Sequence, residues 1–253
     1  MNGRPDPRLP RRRFFVPPSA LDADPIVFAP REAHHIAGVL RLRPGTRIVA
    51  FDGRREVEAD LLTVGDAGVT AAKIGAPRAA VRPVSLVLLQ GVPRGPKMDV
   101  IVRMVTEIGV SSVHPVLTER SVADPGPVRV ERWRRIAREA AKQCGRADVP
   151  EIYPPAVLAD ALAAIGPVDL LIVPWEETAR PLGVVAAGRP YDSAAFLIGP
   201  EGGLTAGEVE TVRAAGGEAV SLGPLLLRTE TAGVVTAAML LYERVLRHPG
   251  SSL

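Results

Sequence analysis

Apolar and polar positions follow two different periodicities along the chain, and the change occurs near residue 80. Before that point, apolar residues alternate with polar ones over short stretches, which is the pattern of half-buried β-strands. Such stretches cover residues 47–51, 56–62 and 69–74, with an Asp-Gly turn at positions 52 and 53. An Asp-Gly pair between alternating strands is a strong signal for a β-hairpin. With one helix predicted over 33–41, the pattern indicates a small β-barrel domain over residues 1–80.

From residue 84 onward, short apolar runs alternate with longer segments of helical periodicity. Residues 77–83 begin and end with proline and are predicted to be a linker. The alternation predicts a parallel α/β sheet with helices on both faces over residues 83–253. Strands are predicted at 84–90, 110–116, 169–173, 194–198 and 219–222. Helices are predicted at 97–108, 130–143, 156–165, 178–187, 205–215 and 231–247.

The composition argues against several kinds of chemistry. No apolar run approaches the roughly 20 residues that a membrane helix needs, and the Arg- and Pro-rich start lacks the apolar segment of a secretory signal. The single cysteine, Cys144, excludes an internal disulfide framework and a Cys-cluster metal site. His34 and His35 are adjacent on the predicted helix and point to different faces. We therefore expect a cytoplasmic protein without bound metal and without contact to a membrane.

Positive charge is concentrated in two segments of the chain. Residues 1–82 carry 14 basic and 9 acidic side chains, and residues 120–147 carry 8 basic and 3 acidic ones. Arginine supplies 28 of the 31 basic residues, and its planar guanidinium suits phosphates and base edges. The clustering favours a nucleic-acid partner. A disordered basic leader would account equally well for residues 4–13.

Two Gly- and Pro-rich turns follow predicted strands, Phe-Leu-Ile-Gly-Pro-Glu-Gly-Gly at 196–203 and Ser-Leu-Gly-Pro-Leu-Leu-Leu-Arg-Thr-Glu-Thr-Ala at 221–232. After the first, Thr205 and Glu208 have the spacing of a capping box, which predicts a helix start at Thr205. After the second, Thr229 is the predicted N-cap of the last helix. Either turn alone could be an ordinary strand-to-helix connection. Together at the carboxyl ends of parallel strands, each with a charged residue (Glu201, Arg228), they predict a ligand crevice.

These two turns and the segment Gln-Cys-Gly-Arg at 143–146 closely resemble the bacterial ribosomal RNA uracil-N3 methyltransferases of the SPOUT superfamily, the small subunit methyltransferase E family. Arg-Phe-Phe-Val at 13–16 and the segment 34–41 resemble the RNA-binding module of the same family. One departure follows the first strand of the second domain. The family usually has Lys-Gly-Asp/Glu-Arg there, whereas this chain has Arg-Gly-Pro-Lys at 94–97.

The resemblance implies a PUA-like β-barrel followed by a SPOUT α/β domain with a trefoil knot, working as a homodimer. It implies 16S ribosomal RNA as the substrate, within the small ribosomal subunit. The cofactor would be S-adenosylmethionine, released as S-adenosylhomocysteine. Three loops would hold it through Leu171, Val173, Pro174, Ile198, Gly199, Gly202, Gly203, Leu222, Gly223, Leu226 and Leu227. Core packing is the alternative role for the three leucines of the last loop.

The reaction would be methyl transfer to N3 of a uracil, which loses its proton as negative charge builds on the flanking carbonyl oxygens. The resemblance places Arg228 where it could stabilise that charge. A salt bridge from Arg228 to Glu230 or to a partner-chain carboxylate is the competing interpretation. Glu201 could act as a base or orient a loop, and the orienting role is favoured.

The resemblance and the basic clusters together predict an RNA surface. Its predicted residues are Arg12, Arg13, His35, Arg41, Arg94, Arg132, Arg135 and Arg146. Two alternatives remain open from the sequence. One is a non-catalytic RNA-binding or ribosome-assembly protein, which intact ligand-loop glycines argue against, and the other is a methyltransferase acting on transfer RNA.

Overall fold

A computed structural model describes residues 12–65, 67–121, 125–188 and 190–246. The chain divides into two compact units. Among the described residues, the smaller unit contains those up to Val81 together with Ala141–Val149, and the larger unit contains those of Arg82–Ala140 and those from Pro150 onward.

The smaller unit is a five-stranded sheet with short helices. Its elements are β1 (Arg13–Phe15), α1 (Pro18–Asp22), β2 (Ile26–Val27), α2 (Pro30–His34), β3 (Arg47–Phe51), β4 (Arg55–Gly65) and β5 (Gly68–Ala79). The strand order is β1-β3-β4-β5-β2, with β1 parallel to β3 and the other pairs antiparallel. A π-helical turn, His35–Val39, continues α2. The helix predicted over 33–41 thus begins earlier in the structure, at Pro30. The fixed φ of proline suits the first turn of a helix.

The predicted hairpin at the Asp-Gly turn is confirmed. Strands β3 and β4 pair antiparallel across it. The Asp52 carboxylate accepts hydrogen bonds from the backbone N–H groups of Arg54 and Arg55 at 2.9 and 2.7 Å. Such local bonds from an Asp side chain stabilise a turn.

The predicted linker over 77–83 is wrong at its first residues, because β5 continues to Ala79. Arg78 and Ala79 pair with Glu56 and Arg55 of β4. Proline is tolerated in a strand at a bulge, and Pro77 lies next to a register shift in this ladder.

The segment Ala141–Val149 packs with the smaller unit through polar contacts, which the sequence did not indicate. Lys142 forms an ion pair with Glu32 at 2.9 Å, and both side chains are largely buried. The Val149 N–H donates to the Gly53 carbonyl at 3.1 Å. This segment is therefore fixed to the β3–β4 turn and to α2.

The larger unit is the predicted parallel α/β sheet. Its strands are β6 (Ser85–Gly91), β7 (Ser112–Leu117), β8 (Glu151–Ile152), β9 (Ala156–Val157), β10 (Leu170–Pro174), β11 (Ser193–Ile198) and β12 (Glu218–Val220). Its helices are α3 (Lys97–Ile108), α4 (Gly126–Cys144), α5 (Leu158–Ile165), α6 (Leu182–Ala187), α7 (Ala206–Ala214) and α8 (Thr229–Leu241), which continues as a π-helical turn, Tyr242–Leu246. The strand order is β12-β10-β11-β6-β7-β8, and β9 also pairs with β7.

Two helix starts differ from the prediction because tertiary contacts hold the chain extended. Residues 156 and 157 form β9 by pairing with Val116 and Leu117. Helix α6 begins at Leu182 rather than at residue 178, since the Ser221 N–H donates to the Arg180 carbonyl at 2.7 Å. That bond ties the segment before α6 to the end of β12.

The two predicted N-caps have different outcomes. Thr205 caps α7, and the full capping box with Glu208 is present, as predicted. The N-cap of α8 is Arg228, so the prediction of Thr229 as the cap is wrong. Thr229 is the first helical residue. Its hydroxyl donates to the Gly199 carbonyl at 2.6 Å and accepts from the Gln90 amide, and it accepts no bond from a backbone N–H of its own helix.

Candidate active site

The crevice lies where the neighbouring strands β10 and β12 end. Its volume is about 360 Å³. It is lined by Pro174, Trp175, Glu176 and Thr178 after β10, by residues 221–227 after β12, and by Ala232 of α8. Of the predicted cofactor residues, Pro174, Leu222, Gly223, Leu226 and Leu227 are in this lining.

The remaining predicted cofactor residues fall into two groups. Leu171, Val173 and Ile198 are buried in the core and do not line the crevice. Gly199, Gly202 and Gly203 form the turn after β11. Glu176, which lines the crevice, comes within 3.4 Å of the position that a Cβ on Gly203 would take.

Apolar side chains in the loop after β12 are exposed. Leu225 is 79% exposed, Leu226 is 84% exposed and Leu227 is 38% exposed. Three consecutive leucines in contact with water are costly, so core packing does not describe Leu226. An apolar surface of this kind suits the flat face of an adenine ring.

The glycines of the two turns are required for different reasons. Gly223 has a φ of +125°, and nothing lies within 4 Å of the position of a Cβ, so its backbone opens onto free space. A Cβ on Gly199 would lie 3.0 Å from the Gly203 carbonyl carbon and 3.1 Å from Leu204. Gly199 is thus needed for the turn to close on itself, whereas Gly223 leaves room for a ligand.

Glu201 is held by groups from the loop after β6. Its carboxylate accepts a hydrogen bond from the Arg94 N–H at 3.1 Å and forms an ion pair with Lys97 Nζ at 2.8 Å. Lys97 Nζ also lies 3.9 Å from Glu230 on α8. Lys97, which the sequence pattern did not single out, therefore connects the glutamates of both motif turns. The sequence offered one sign of this role: Lys97 is the last residue of the segment 94–97, in which this chain departs from the family pattern.

The environment of Glu201 favours an orienting role over a basic one. Burial opposes ionisation, but the bonds from Lys97 and from the Arg94 backbone outweigh it and lower the pKa of the carboxyl. A carboxylate with a lowered pKa is a weak proton acceptor near neutral pH. Its oxygens are also occupied by two donors.

Changing Glu201 to Gln is expected to lower the melting temperature most at neutral pH. Because the folded-state pKa is lowered, the ionised form stabilises the fold above the ordinary pKa of about 4.5, and this contribution is lost as pH falls through the folded value. The difference between wild type and variant should shrink as the pH falls below about 4.5. Thermal unfolding across pH measures it. The control is the same change, to Gln, at Glu210, which is exposed on α7. A difference in melting temperature between wild type and the Glu201 variant that does not depend on pH would contradict the ion pair between Glu201 and Lys97.

Arg228 is exposed at the N-terminus of α8, next to Leu227 of the crevice. Within the described residues it makes no ion pair or side-chain hydrogen bond, and Glu230 faces Lys97 instead. The competing salt bridge with Glu230 is therefore not formed in this chain. The exposed Arg228 guanidinium is therefore available to a ligand, and it directly follows the last loop residue of the crevice lining, although Arg228 itself is not in that lining.

The predicted RNA-binding residues of the smaller unit differ in accessibility. Arg12 and Arg41 are exposed. Arg13 pairs with Glu56 at 2.5 Å, lies over the Phe51 ring and has a side chain only 9% exposed. Arg146 pairs with Asp148 and is 11% exposed. These two arginines are neutralised within the fold, and His35 packs edge-on against Phe14. The basic residues from 4 to 11 lie outside the described residues.

The larger unit carries a basic cleft of about 760 Å³ along one face of α4. Arginines at intervals of three residues line it, so that each one neighbours the next on the helix surface. They are Arg129, Arg132, Arg135 and Arg138. Arg132 also pairs with Asp99 at 2.6 Å. Arg94 is exposed at a separate cavity beside Glu201 and Arg120.

Neither a metal-binding cluster nor a membrane-spanning helix occurs in the described part of the chain. Across residues 12–65, 67–121, 125–188 and 190–246, no three His, Cys, Asp or Glu side chains are grouped as a metal site requires. No helix in those ranges is long and apolar enough to cross a bilayer.

Comparison with known proteins gives matches along most of the chain. The RNA methyltransferase domain family matches residues 81–241, and the RNA methyltransferase PUA domain family matches residues 28–59. The Bacillus subtilis ribosomal RNA small subunit methyltransferase E is 30% identical over 225 residues, which are 84% of this chain and 88% of that protein. This chain belongs to the ribosomal RNA small subunit methyltransferase E family.

Other members of the methyltransferase E family agree in sequence and in fold. The Mycobacterium tuberculosis member is 29% identical over 214 residues, 81% of each chain. The crystal structure of the Neisseria gonorrhoeae member, bound to S-adenosyl methionine, is 29% identical with a TM-score of 0.80, covering 91% of this chain and 97% of that one. The family fold, a PUA-like unit and a parallel α/β unit, is therefore the fold of this chain.

Proposed function

We propose that this protein uses S-adenosylmethionine to methylate N3 of a uridine in 16S ribosomal RNA. The observation that carries the proposal is the crevice lined by the glycine-containing turn after β12, with an exposed arginine directly after that turn, in a member of the methyltransferase E family. When bound, the cofactor supplies an electrophilic methyl group on a sulfonium sulfur.

The residues of the crevice fit such a cofactor. The exposed Leu226 and the half-buried Leu222 offer an apolar surface for adenine, and Gly223 allows close approach to the backbone. Glu176 places a carboxylate in the lining, which suits a ligand that carries positive charge. Pro174 and the buried strand ends fix the opposite wall.

Three residues have proposed roles in the chemistry. Arg228 stabilises the negative charge that develops on the uracil carbonyl oxygens as N3 loses its proton, since a fixed positive charge there acts most strongly on the transition state. Glu201 and Lys97 hold the turn after β11 in place. The uracil must be unpaired for its N3 to be reached.

Changing Gly223 to Val is expected to weaken binding of S-adenosylmethionine by about tenfold or more. A β-branched residue is strained at a φ of +125°, and its side chain would fill the free space next to the crevice. Calorimetry with the cofactor and with S-adenosylhomocysteine measures the effect. Gly216, with a φ of +85° and free space after α7, is the matched control. Equal affinity in wild type and the Gly223 variant would contradict the assignment of the crevice.

We propose that exposed arginines of both units bind the RNA. In the PUA-like unit these are Arg12 and Arg41, and in the α/β unit they are Arg94, Arg132 and Arg135. Arg129 and Arg138 extend the basic row on α4. Phosphate binding by arginine is bidentate and suits such a row.

The proposal also includes finer properties implied by the family resemblance. These are a trefoil knot in the α/β unit, a homodimer, action within the small ribosomal subunit, and a cytoplasmic location. The domain roles, RNA binding by residues 1–80 and methyl transfer by residues 83–253, belong to it as well. Neither the non-catalytic alternative nor transfer RNA as substrate is favoured by a specific observation.

Transfer of a tritiated methyl group from S-adenosylmethionine tests the function. Total RNA from a strain lacking this gene is incubated with the purified protein, and the labelled nucleotide is mapped. We expect label at N3 of one uridine of 16S RNA. Label in transfer RNA would support a methyltransferase acting on transfer RNA. No label, with intact cofactor binding, would support a non-catalytic RNA-binding or ribosome-assembly protein.

A further inference from the structure

A buried chain of hydrogen bonds links the end of β6, the start of α8 and the turn after β11. The Gln90 amide nitrogen donates to Thr229 Oγ1 at 3.0 Å. Thr229 Oγ1 in turn donates to the Gly199 carbonyl at 2.6 Å. Gln90 is fully buried and Thr229 is only 6% exposed. Water therefore does not compete for these bonds.

The direction of every bond in this chain is fixed by chemistry. The Gln90 amide nitrogen also donates to the Gly91 carbonyl at 3.0 Å. A carbonyl can only accept a hydrogen bond. If the Gln90 amide were rotated by 180°, its own oxygen would face the Gly91 carbonyl oxygen, and two acceptors would be in contact. Thr229 Oγ1 then receives a proton from Gln90, so its own single proton goes to the Gly199 carbonyl. The Gln90 amide oxygen has no partner in the part of the chain that the structure describes, so the two bonds donated by the amide nitrogen are the hydrogen bonds that orient this side chain.

The peptide that accepts this bond is also fixed by close packing. A Cβ on Gly91 would lie 2.6 Å from Pro200 Cδ and 2.8 Å from Pro200 N, so the peptide between Gly199 and Pro200 rests directly on the end of β6. On its other side Gly199 packs against Gly203 and Leu204. The Thr229 hydroxyl donates to the carbonyl of this same peptide.

We propose that Gln90 and Thr229 are positioning residues for methyl transfer. They act by locking the turn after β11 to the first turn of α8, and so fix the distance between that turn and Arg228, the residue before Thr229. Neither side chain lines the crevice, so neither touches the cofactor or the RNA. This inference rests on the proposed methyltransferase function.

Thr229→Val removes the hydroxyl and keeps the shape of the side chain. It leaves both the Gln90 amide and the Gly199 carbonyl without their bond, and we expect turnover at saturating cofactor and RNA to fall by about tenfold or more. Thr229→Ser keeps the hydroxyl and should restore most of the turnover. Steady-state rates with tritiated cofactor, normalised to the folded fraction, give the comparison.

Thr236→Val is the matched control on the same helix. Thr236 is buried, as Thr229 is, but its hydroxyl donates to the Ala232 carbonyl of its own helix at 2.8 Å. We expect this variant to change the melting temperature without changing turnover per folded molecule. A difference between the two threonine variants therefore separates positioning from general stability.

Gln90→Met removes the amide that donates to Thr229 Oγ1, and so tests the same chain of hydrogen bonds from its other end. It should lower turnover in the same way, and the double variant with Thr229→Val should be little worse than either single one, since both act through the Gly199 carbonyl. Wild-type turnover in both the Thr229→Val and the Gln90→Met variants would overturn the inference. A wild-type protein that binds no cofactor and transfers no methyl group would instead overturn the proposed function.

Discussion

Changing Arg228 to Ala is expected to lower methyl-transfer turnover by about a hundredfold or more, with a melting temperature and a cofactor affinity close to those of the wild type. The reason is the position of the side chain. Arg228 is exposed, forms no ion pair within the described residues, and lies beside Leu227 of the crevice. Its removal therefore breaks no bond that the fold uses, but removes a positive charge from the place where the uracil would become anionic.

Arg228→Lys tests whether charge alone is sufficient. Lysine keeps the charge but lacks the planar fork of five donors, so we expect strong impairment rather than near-normal activity. Arg103, exposed on α3, provides the control change to Ala. Single-turnover rates and thermal unfolding are the measurements. A large drop in melting temperature with preserved turnover per folded molecule would assign Arg228 to a salt bridge with a partner-chain carboxylate.

Affinity for the RNA is expected to fall by about a thousandfold or more between about 50 mM and about 200 mM salt, if about six or more phosphates are bound. Each phosphate that an arginine neutralises releases counterions, so the slope of log affinity against log salt counts the bound phosphates. Replacing Arg129 and Arg135, which are exposed in the cleft and form no ion pair within the described residues, with Ala should reduce that slope by roughly 0.7 to 0.9 for each phosphate that is no longer neutralised. Binding of labelled RNA at several salt concentrations measures both quantities.

Arg134 supplies the control for the arginine variants. It lies on the same helix, but it pairs with Glu131 and donates to the Ile152 carbonyl at 2.9 Å. Arg134→Ala should leave the salt slope unchanged, and all these variants should bind S-adenosylmethionine as the wild type does. An RNA affinity that hardly varies with salt would contradict phosphate binding by these surfaces. The structure also argues against testing Arg13, because its removal would break the bond with Glu56.

Several features of this protein follow from the sequence because they depend on neighbours along the chain. The Asp-Gly hairpin, the capping box at Thr205 and Glu208, and the alternation of strands and helices are of this kind. Each is set by turn geometry or by periodicity over a few residues. The turn after β12 lies at the carboxyl edge of the parallel sheet by the same rules, and it lines the crevice as anticipated. The turn after β11 does not line it, because β10 lies between the two strands and its loop lines the crevice instead.

Contacts between distant residues decided the rest. Arg94 and Glu201 are 107 positions apart, and Gln90 and Thr229 are 139 apart, so no local rule could pair them. The same holds for Thr229, whose sequence neighbours suggested a cap but whose hydroxyl meets the Gly199 carbonyl. Arg13 and Arg146 look like RNA ligands in a basic segment until folding brings Glu56 and Asp148 against them. The sequence by itself determined the longer strands and helices and the turns between them. The tertiary structure added short strands such as β9 and decided which polar groups are left free to bind, because a buried charge or hydroxyl bonds whatever partner the fold places beside it.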